Sequence, residues 1–151
     1  MTPFEVREIV RRLGAAYPDP PLGEESADLY ARMLVDLPYE AVDPVVDELI
    51  ATAMKLPTIS RIRRSVVEPT LAIPTADEAW LAVQTHAGDL HELVAQVVRL
   101  VGGTYNIRTS GDPELARVRF VKVYEELRRK AVDRALAEGV RTQRLKLQQV
   151  S

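Results

Sequence analysis

The sequence predicts an all-α protein, and two observations carry that prediction. Apolar residues recur every three or four positions through most of the 151-residue chain, which is the spacing that places them on one face of a helix. Val-rich, Ile-rich or Thr-rich runs that alternate with polar residues stop after a few positions, and no Asn-Gly or Asp-Gly turn joins two of them. We therefore expect a small multi-helix protein of about six to seven helices, arranged either as one bundle or as two helical subdomains.

Capping signals and prolines delimit the helices of the first half. Residues 2–5, Thr-Pro-Phe-Glu, form a capping box with proline at the first helical position and open a helix that runs to about Ala16. A proline-rich loop precedes a second helix over 24–35, which a Leu-Pro pair closes. An Asp-Pro pair at 43–44 is typical of a helix start, so the third helix is expected over 45–54, after a turn or kinked segment. The inward-facing residues of these helices are predicted to be Phe4, Ile9, Val10, Leu13, Leu29, Met33, Leu34, Val46, Leu49, Ile50 and Ala53.

A fourth helix with a basic surface follows. Thr58 comes directly after a proline that cannot continue the preceding helix, and its hydroxyl can accept a hydrogen bond from a free amide of the next turn. Arg61, Arg63 and Arg64 lie in the first turns beside two isoleucines, so we expect a charged surface with an apolar backing. These arginines could contact DNA phosphates as part of a helix-turn-helix. The acidic helices before them favour instead a solvated face or a contact with a protein.

A hinge is predicted in the middle of the chain. Two prolines that enclose four residues mark a subdomain boundary between residues 1–70 and residues 71–139. Beyond the hinge, residues 75–78 and 89–92 have the spacing of capping boxes, and each is expected to open a helix. The two glycines at 102–103 end the second of these helices.

The last helix is predicted to be the longest. Asp112-Pro113 caps it after a polar loop over 104–111, and Gly139 supplies a natural C-terminal stop. Residues 140–151 then form a basic tail with three cations and no acidic residue. This tail is either a frayed extension of the helix or a flexible basic and apolar segment that orders on a partner. The inward-facing residues of the helix are predicted to be Leu115, Val118, Phe120 or Val121, Tyr124, Leu127, Ala131 and Leu136.

Composition narrows the possible functions. Residues 1–60 contain 5 Lys and Arg against 11 Asp and Glu, a net charge of −6, whereas residues 61–151 contain 15 against 11, a net charge of +4. An acidic front half argues against a protein that coats DNA by neutralising phosphates, and it favours protein partners. Cysteine is absent, which excludes disulfides, thiolate metal sites and cysteine catalysis. No segment has the roughly 18 continuous apolar residues of a membrane helix, and no secretory signal begins the chain, so we expect a soluble cytoplasmic protein.

The common catalytic motifs are missing from the sequence. The glycines at 102–103 and 111 are not followed by the Lys and Ser or Thr that a phosphate-binding loop requires. His86 and His91 do not form a His-Glu-x-x-His pattern, and the carboxylates near His91 are explained as helix caps. No serine stands in a nucleophile-elbow context. We therefore expect no enzymatic activity, no cofactor and no metal ion.

Four short motifs occur in order along the chain. They are Leu-Pro-Tyr-Glu at 37–40, Leu-Pro-Thr-Ile-x-x-Ile-Arg at 56–63, Glu-Ala-Trp at 78–80 and Arg-x-Arg-Phe-x-x-x-Tyr-Glu at 117–125. Each motif is short, and the information lies in their order and spacing. Over residues 4–130, that order resembles the phage replicative-helicase loader and inhibitor family.

The resemblance implies a small helical adaptor without an active site. Such an adaptor binds a hexameric DnaB-type replicative helicase, holds it inactive, and helps deliver it to origin DNA through a replication initiator protein. In that family the C-terminal part is implicated in gripping the helicase and can be disordered when alone. The partner-binding candidates that follow, from the motif helix and from the tail, are Arg61, Arg63, Arg64, Arg141, Arg144, Leu145 and Leu147.

Overall fold

The computed structural model describes residues 1–85 and 88–150, and over those ranges it is all-α, as predicted. The chain divides into two compact units. The first unit consists of residues 1–70 together with the segment that begins at Gly139, and the second unit consists of residues 71–138. The helices are α1 (Pro3–Ala16), α2 (Glu24–Leu34), α3 (Tyr39–Thr52), α4 (Ile59–Val67), α5 (Ala76–Gln84), α6 (Glu92–Leu100), α7 (Gly103–Arg108) and α8 (Pro113–Val150), with a 3-10 turn over Glu68–Leu71.

An aliphatic core holds α1 to α4 together in the first unit. The predicted starts of α1 and α4 are confirmed, because the hydroxyls of Thr2 and Thr58 each accept a hydrogen bond from the amide three residues on. Two predicted inward residues are wrong, since Phe4 is 75% exposed and Leu29 is 42% exposed. Each lies on the side of its helix opposite the buried stripe. The fully buried side chains are Ile9, Leu13, Leu34, Val42, Val46 and Ile62.

The third helix starts earlier than predicted. α3 begins at Tyr39 and contains Pro44 in its interior, so the predicted start at the Asp-Pro pair is wrong. Pro44 has no N–H to donate to the carbonyl of Glu40, and both residues are exposed, so water can satisfy that carbonyl. Asp43 is used instead in an ion pair with Arg12 of α1, at 2.8 Å.

The core of the second unit combines aliphatic residues of α5, α6 and α7 with two aromatic rings of α8. Phe120 and Tyr124 are fully buried, and the ring centroid of Trp80 lies 5.4 Å from that of Phe120. The Tyr124 hydroxyl donates to the carbonyl of Pro74 at 2.7 Å. Trp80 therefore belongs to the packing of this unit, as its position among apolar residues predicts.

Two local predictions in the second unit are wrong. Residues 89–92 do not form a capping box, because the N-cap of α6 is His91, whose Nδ1 accepts from the Leu93 amide at 3.1 Å. The segment 104–111 is not simply a loop, because α7 covers most of it and buries an isoleucine in the core. A six-residue helix is too short to give a recognisable apolar period, which explains why the sequence pattern misses it.

The last helix is longer than predicted. The Asp112 carboxylate accepts from the Leu115 amide at 3.0 Å, which confirms the predicted cap. α8 then continues through Gly139 to Val150, so the predicted stop is wrong and residues 140–150 are helical. A glycine inside a helix costs only about 1 kcal/mol relative to alanine, which the flanking helix-forming residues can offset. Leu115 and Val118, predicted to face inward, are exposed.

Candidate partner-binding surface of the first unit

The loop before α4 is fixed by two hydrogen bonds. The Thr58 hydroxyl accepts from the Arg61 amide at 3.2 Å, and the Tyr30 hydroxyl of α2 donates to the Pro57 carbonyl at 2.7 Å. The proline ends the preceding segment and the threonine begins the helix, so the direction of α4 is set locally. This arrangement determines where the three arginines of α4 point.

Arg63 points inward, contrary to prediction. Its side chain is only 5% exposed, and its guanidinium donates to both carboxylate oxygens of Asp36, at 2.7 and 2.9 Å. The same guanidinium also donates to the carbonyl of Met33. The expectation that Arg63 contacts a partner is therefore wrong, because the side chain is buried and both terminal guanidinium nitrogens donate to groups inside the first unit.

The position of Arg63 has a physical reason. Met33 lies in the last turn of α2, where carbonyls have no partner within the helix, and a cation there also complements the helix dipole. A bidentate pair with Asp36 offsets the cost of removing the charge from water. Arg63 thus connects α4 to the end of α2. It is a structural residue rather than a ligand-binding one.

The other two arginines of α4 differ from Arg63 and from each other. Arg61 is exposed, whereas Arg64 is half-buried and engaged in a further interaction within the protein. The basic surface predicted for α4 therefore shrinks to Arg61 at its N-terminal end. A helix-turn-helix contact that uses all three arginines does not fit this geometry.

Residues of α2 and of the end of α8 line a groove, which we call the C-terminal groove. This groove has a volume of about 440 Å³. On the α8 side, Val140, Arg144 and Leu147 recur at helical spacing and share one face. Of the predicted tail residues, Arg144 and Leu147 therefore line the groove, whereas Arg141 and Leu145 do not. Its full lining is Arg32, Met33, Val140, Gln143, Arg144 and Leu147.

A second cavity lies on the other side of Leu147. Its lining includes Asp36, Gly139 and Lys146, and its volume is about 530 Å³. A side-chain carbon added at Gly139 would lie 3.9 Å from a guanidinium nitrogen of Arg63, which is an ordinary van der Waals distance. α8 therefore passes close over the buried ion pair before it reaches the groove.

Sequence reasoning missed the contribution of α2 to this surface. Arg32, Met33 and Asp36 are more than 100 residues before Val140, and no local pattern connects them to the end of the chain. The one available signal was the Arg-Met pair in the last turn of α2, which resembles an ordinary C-terminal cation. Only the tertiary structure brings these residues together with Arg144 and Leu147.

The titrating groups with shifted pKa values have structural roles. In the first unit, a hydrogen bond from Arg12 lowers the pKa of Asp43 against the opposing effect of burial. In the second unit, hydrogen bonds from Thr75 lower the pKa of Glu78, which closes the capping box of α5. Neither carboxylate lies in the C-terminal groove. These shifts stabilise helices and do not indicate acid–base chemistry.

Within residues 1–85 and 88–150, no three His, Cys, Asp or Glu side chains converge in a way that could hold a metal ion. His91 serves as a helix cap, and His86 lies outside the described residues. A search of the same ranges finds no helix long and apolar enough to cross a membrane. The feature that stands out among the described residues is thus a surface, formed by α2 and the end of α8.

Comparison of the chain with models of protein families, with curated proteins and with solved structures finds no match.

Proposed function

We propose that this protein is a non-enzymatic adaptor that binds a hexameric DnaB-type replicative helicase in the cytoplasm of a bacterial host, where it inhibits the helicase, loads it, or does both. A replication initiator protein is the expected second partner. The proposal combines a surface suited to a protein partner with a sequence resemblance that names the partner.

The observation that carries the proposal is the exposed apolar surface at the end of α8. Leu145 is 60% exposed, Leu147 is 61% exposed, and Val150 is more exposed still. Arg141 and Arg144, which precede them on the same helix, are also exposed. Apolar side chains beside arginines on an ordered helix are typical of a surface that a protein partner covers.

The identity of the partner rests on the order of the four motifs. In this protein, Arg63, Phe120 and Tyr124 from those motifs are buried, and Trp80 packs against Phe120. These motif residues thus contribute to helix packing. That is compatible with a family whose members act by binding another protein and leave ATP hydrolysis to the helicase.

The test is complex formation with the replicative helicase encoded by the same genome. The purified chain and the helicase are mixed with and without ATP and analysed by size-exclusion chromatography with light scattering. We expect a complex in at least one nucleotide state. If the two proteins elute separately in both states, the proposed function is wrong.

Two matched variants locate the contact. Leu147 in the first unit and Leu81 in the second unit are both 61% exposed, so L147D and L81D introduce the same change at equal exposure. We expect L147D to weaken the complex and L81D to leave it intact. Equal behaviour of the two variants would contradict a contact through the end of α8.

DNA binding through α4 is the alternative, and it now has weaker support. Arg63 is committed to Asp36, and α4 presents Arg61 as its exposed arginine. The net charge of +4 over residues 61–151 is the observation that still favours it. Titration against duplex and single-stranded DNA at several salt concentrations decides the matter, because phosphate contacts produce a steep salt dependence.

A further inference from the structure

We propose that the C-terminal groove binds an acidic amphipathic helix of the protein partner. The partner's apolar side chains lie against Met33, Val140 and Leu147, and its carboxylates lie beside Arg32 and Arg144. This inference rests on the proposed function and deepens it, because it states which kind of partner segment the surface recognises.

The shape of the groove favours a helix. On its α8 side, the lining extends from Val140 to Leu147, which is about 10 Å along the helix axis, or two turns. Met33 on α2 lines the same space, so we call Met33, Val140 and Leu147 the apolar floor of the groove. An amphipathic helix that lays its apolar side chains at every third or fourth position into such a floor is a common mode of recognition. Methionine suits the floor because its flexible side chain adapts to the ligand.

The charge of the groove selects an acidic ligand. Arg32 and Arg144 are both exposed, and neither forms an ion pair with another described residue. No Asp or Glu belongs to the lining of the groove. Arginine can hold a carboxylate through two parallel hydrogen bonds, so each guanidinium provides a directional contact. A basic segment would be repelled at both positions.

The apolar floor distinguishes a protein ligand from nucleic acid. A phosphate backbone needs cations along its whole path, whereas here the lining includes the apolar residues Met33, Val140 and Leu147 as well as the two arginines. Burial of these side chains by apolar groups of a peptide contributes about 25 cal/mol for each Å² removed from water. An acidic helix with an apolar face can contact both the apolar residues and the two arginines of the groove.

A neighbouring surface of α2 has the opposite character. The hollow lined by Glu25, Asp28 and Leu29 is acidic, although it shares Arg32 with the C-terminal groove. A ligand that carries carboxylates is therefore directed away from this hollow and toward Arg144. The side of the first unit formed by α2 therefore carries an acidic hollow next to a basic groove.

The experiment uses the full chain and two synthetic peptides of about 14 residues, a length that allows about four helical turns. Each carries a fluorescent label and leucines at every third or fourth position. One peptide has glutamates at its other positions, and the second has lysines in their place. Fluorescence anisotropy should show binding of the glutamate peptide and at least tenfold weaker binding of the lysine peptide.

Two double charge reversals test the location. R32E/R144E reverses both arginines of the groove, and we expect it to weaken binding of the glutamate peptide by about tenfold or more. R7E/R134E makes the same change of charge at two exposed arginines of α1 and α8 outside the groove, and we expect less than a twofold effect. Circular dichroism spectra of both variants confirm that they are folded.

Several results would overturn the inference. They are absence of binding by the glutamate peptide, equal effects of the two double variants, and displacement of the peptide by a duplex DNA oligonucleotide at a similar concentration. The helicase then separates this inference from the proposed function. If wild-type protein and R32E/R144E bind the helicase equally, the groove is not the contact although the function stands. If the helicase does not bind wild-type protein but the glutamate peptide does, the function fails although the groove stands.

Discussion

Arg63 and Arg144 belong to two basic clusters that look alike in the sequence, yet their surroundings are opposite. Arg63 is buried in the first unit and bound to both oxygens of Asp36 and to a carbonyl of α2. Arg144 is exposed at the edge of a groove. The first arginine holds helices together, whereas the second is available to a partner.

The difference shows that the arginines of a basic cluster must first be sorted into buried and exposed ones before the cluster is assigned a function. Arg12 is an intermediate case, since its side chain is 29% exposed and it pairs with Asp43 at 2.8 Å. Buried pairs fix a structure because loss of one partner leaves an uncompensated charge, whereas exposed cations contribute little to stability. Stability measurements can therefore separate the two kinds of arginine.

The largest expected effect is that of R63A. The substitution leaves the Asp36 carboxylate without its partner at a position where its side chain is only 17% exposed, and it removes a donor from the end of α2. We expect a loss of about 3 kcal/mol in the free energy of unfolding. Urea denaturation followed by circular dichroism measures it.

R61A is the matched control for R63A, because Arg61 lies on the same helix but is exposed. We expect its free energy of unfolding to lie within about 0.5 kcal/mol of wild type. Equal stability of the two variants would show that Arg63 is not structural and would remove the contrast with Arg144.

The next largest effect on the free energy of unfolding is expected for G139A, and the direction of the change is informative. If the helix continues through position 139, alanine fits at 3.9 Å from Arg63 and raises the free energy of unfolding by about 0.5 to 1 kcal/mol. If position 139 were a left-handed helix end, as the sequence pattern suggests, alanine would lower it instead. Thermal or urea unfolding of G139A distinguishes these outcomes, and a loss of stability would contradict a continuous α8.

The smallest effect on stability is expected for the ion pair of Arg12 and Asp43, and it depends on pH. The pKa of Asp43 is lowered in the folded protein, so its contribution is complete above the unfolded-state pKa of about 3.9 and is lost as the pH falls through the folded-state value. D43N removes that contribution. The difference in urea midpoint between wild type and D43N should thus be largest at neutral pH and shrink toward pH 3, and a constant difference would show that the ionised carboxylate is not the cause.

Local features of the fold were predictable from the sequence, because their causes are local. Thr2, Thr58, Thr75 and Asp112 all cap helices as predicted, since each bonds to an amide only three residues away. The all-α class followed from apolar spacing for the same reason. Where two local signals competed, as at Pro44, the tertiary packing of α3 decided the outcome.

The candidate site was only half predictable. Arg144 and Leu147 were identified from the composition of the tail and from the resemblance, but the residues of α2 that complete the groove were not. Arg63 was assigned to the surface because its partner Asp36 lies 27 residues away and nothing in the sequence pairs them. Burial of a charge depends on such distant contacts, which a pattern of charges along one helix cannot reveal.

The most direct test of the account is hydrogen–deuterium exchange of the full chain, alone and with the replicative helicase. Amides of residues 139–150 should be protected in the free protein, because they belong to α8, and their protection should increase with the helicase, together with that of the end of α2. The amides of α4 should not change. Rapid exchange of residues 139–150 in the free protein, or new protection confined to α4, would contradict the account.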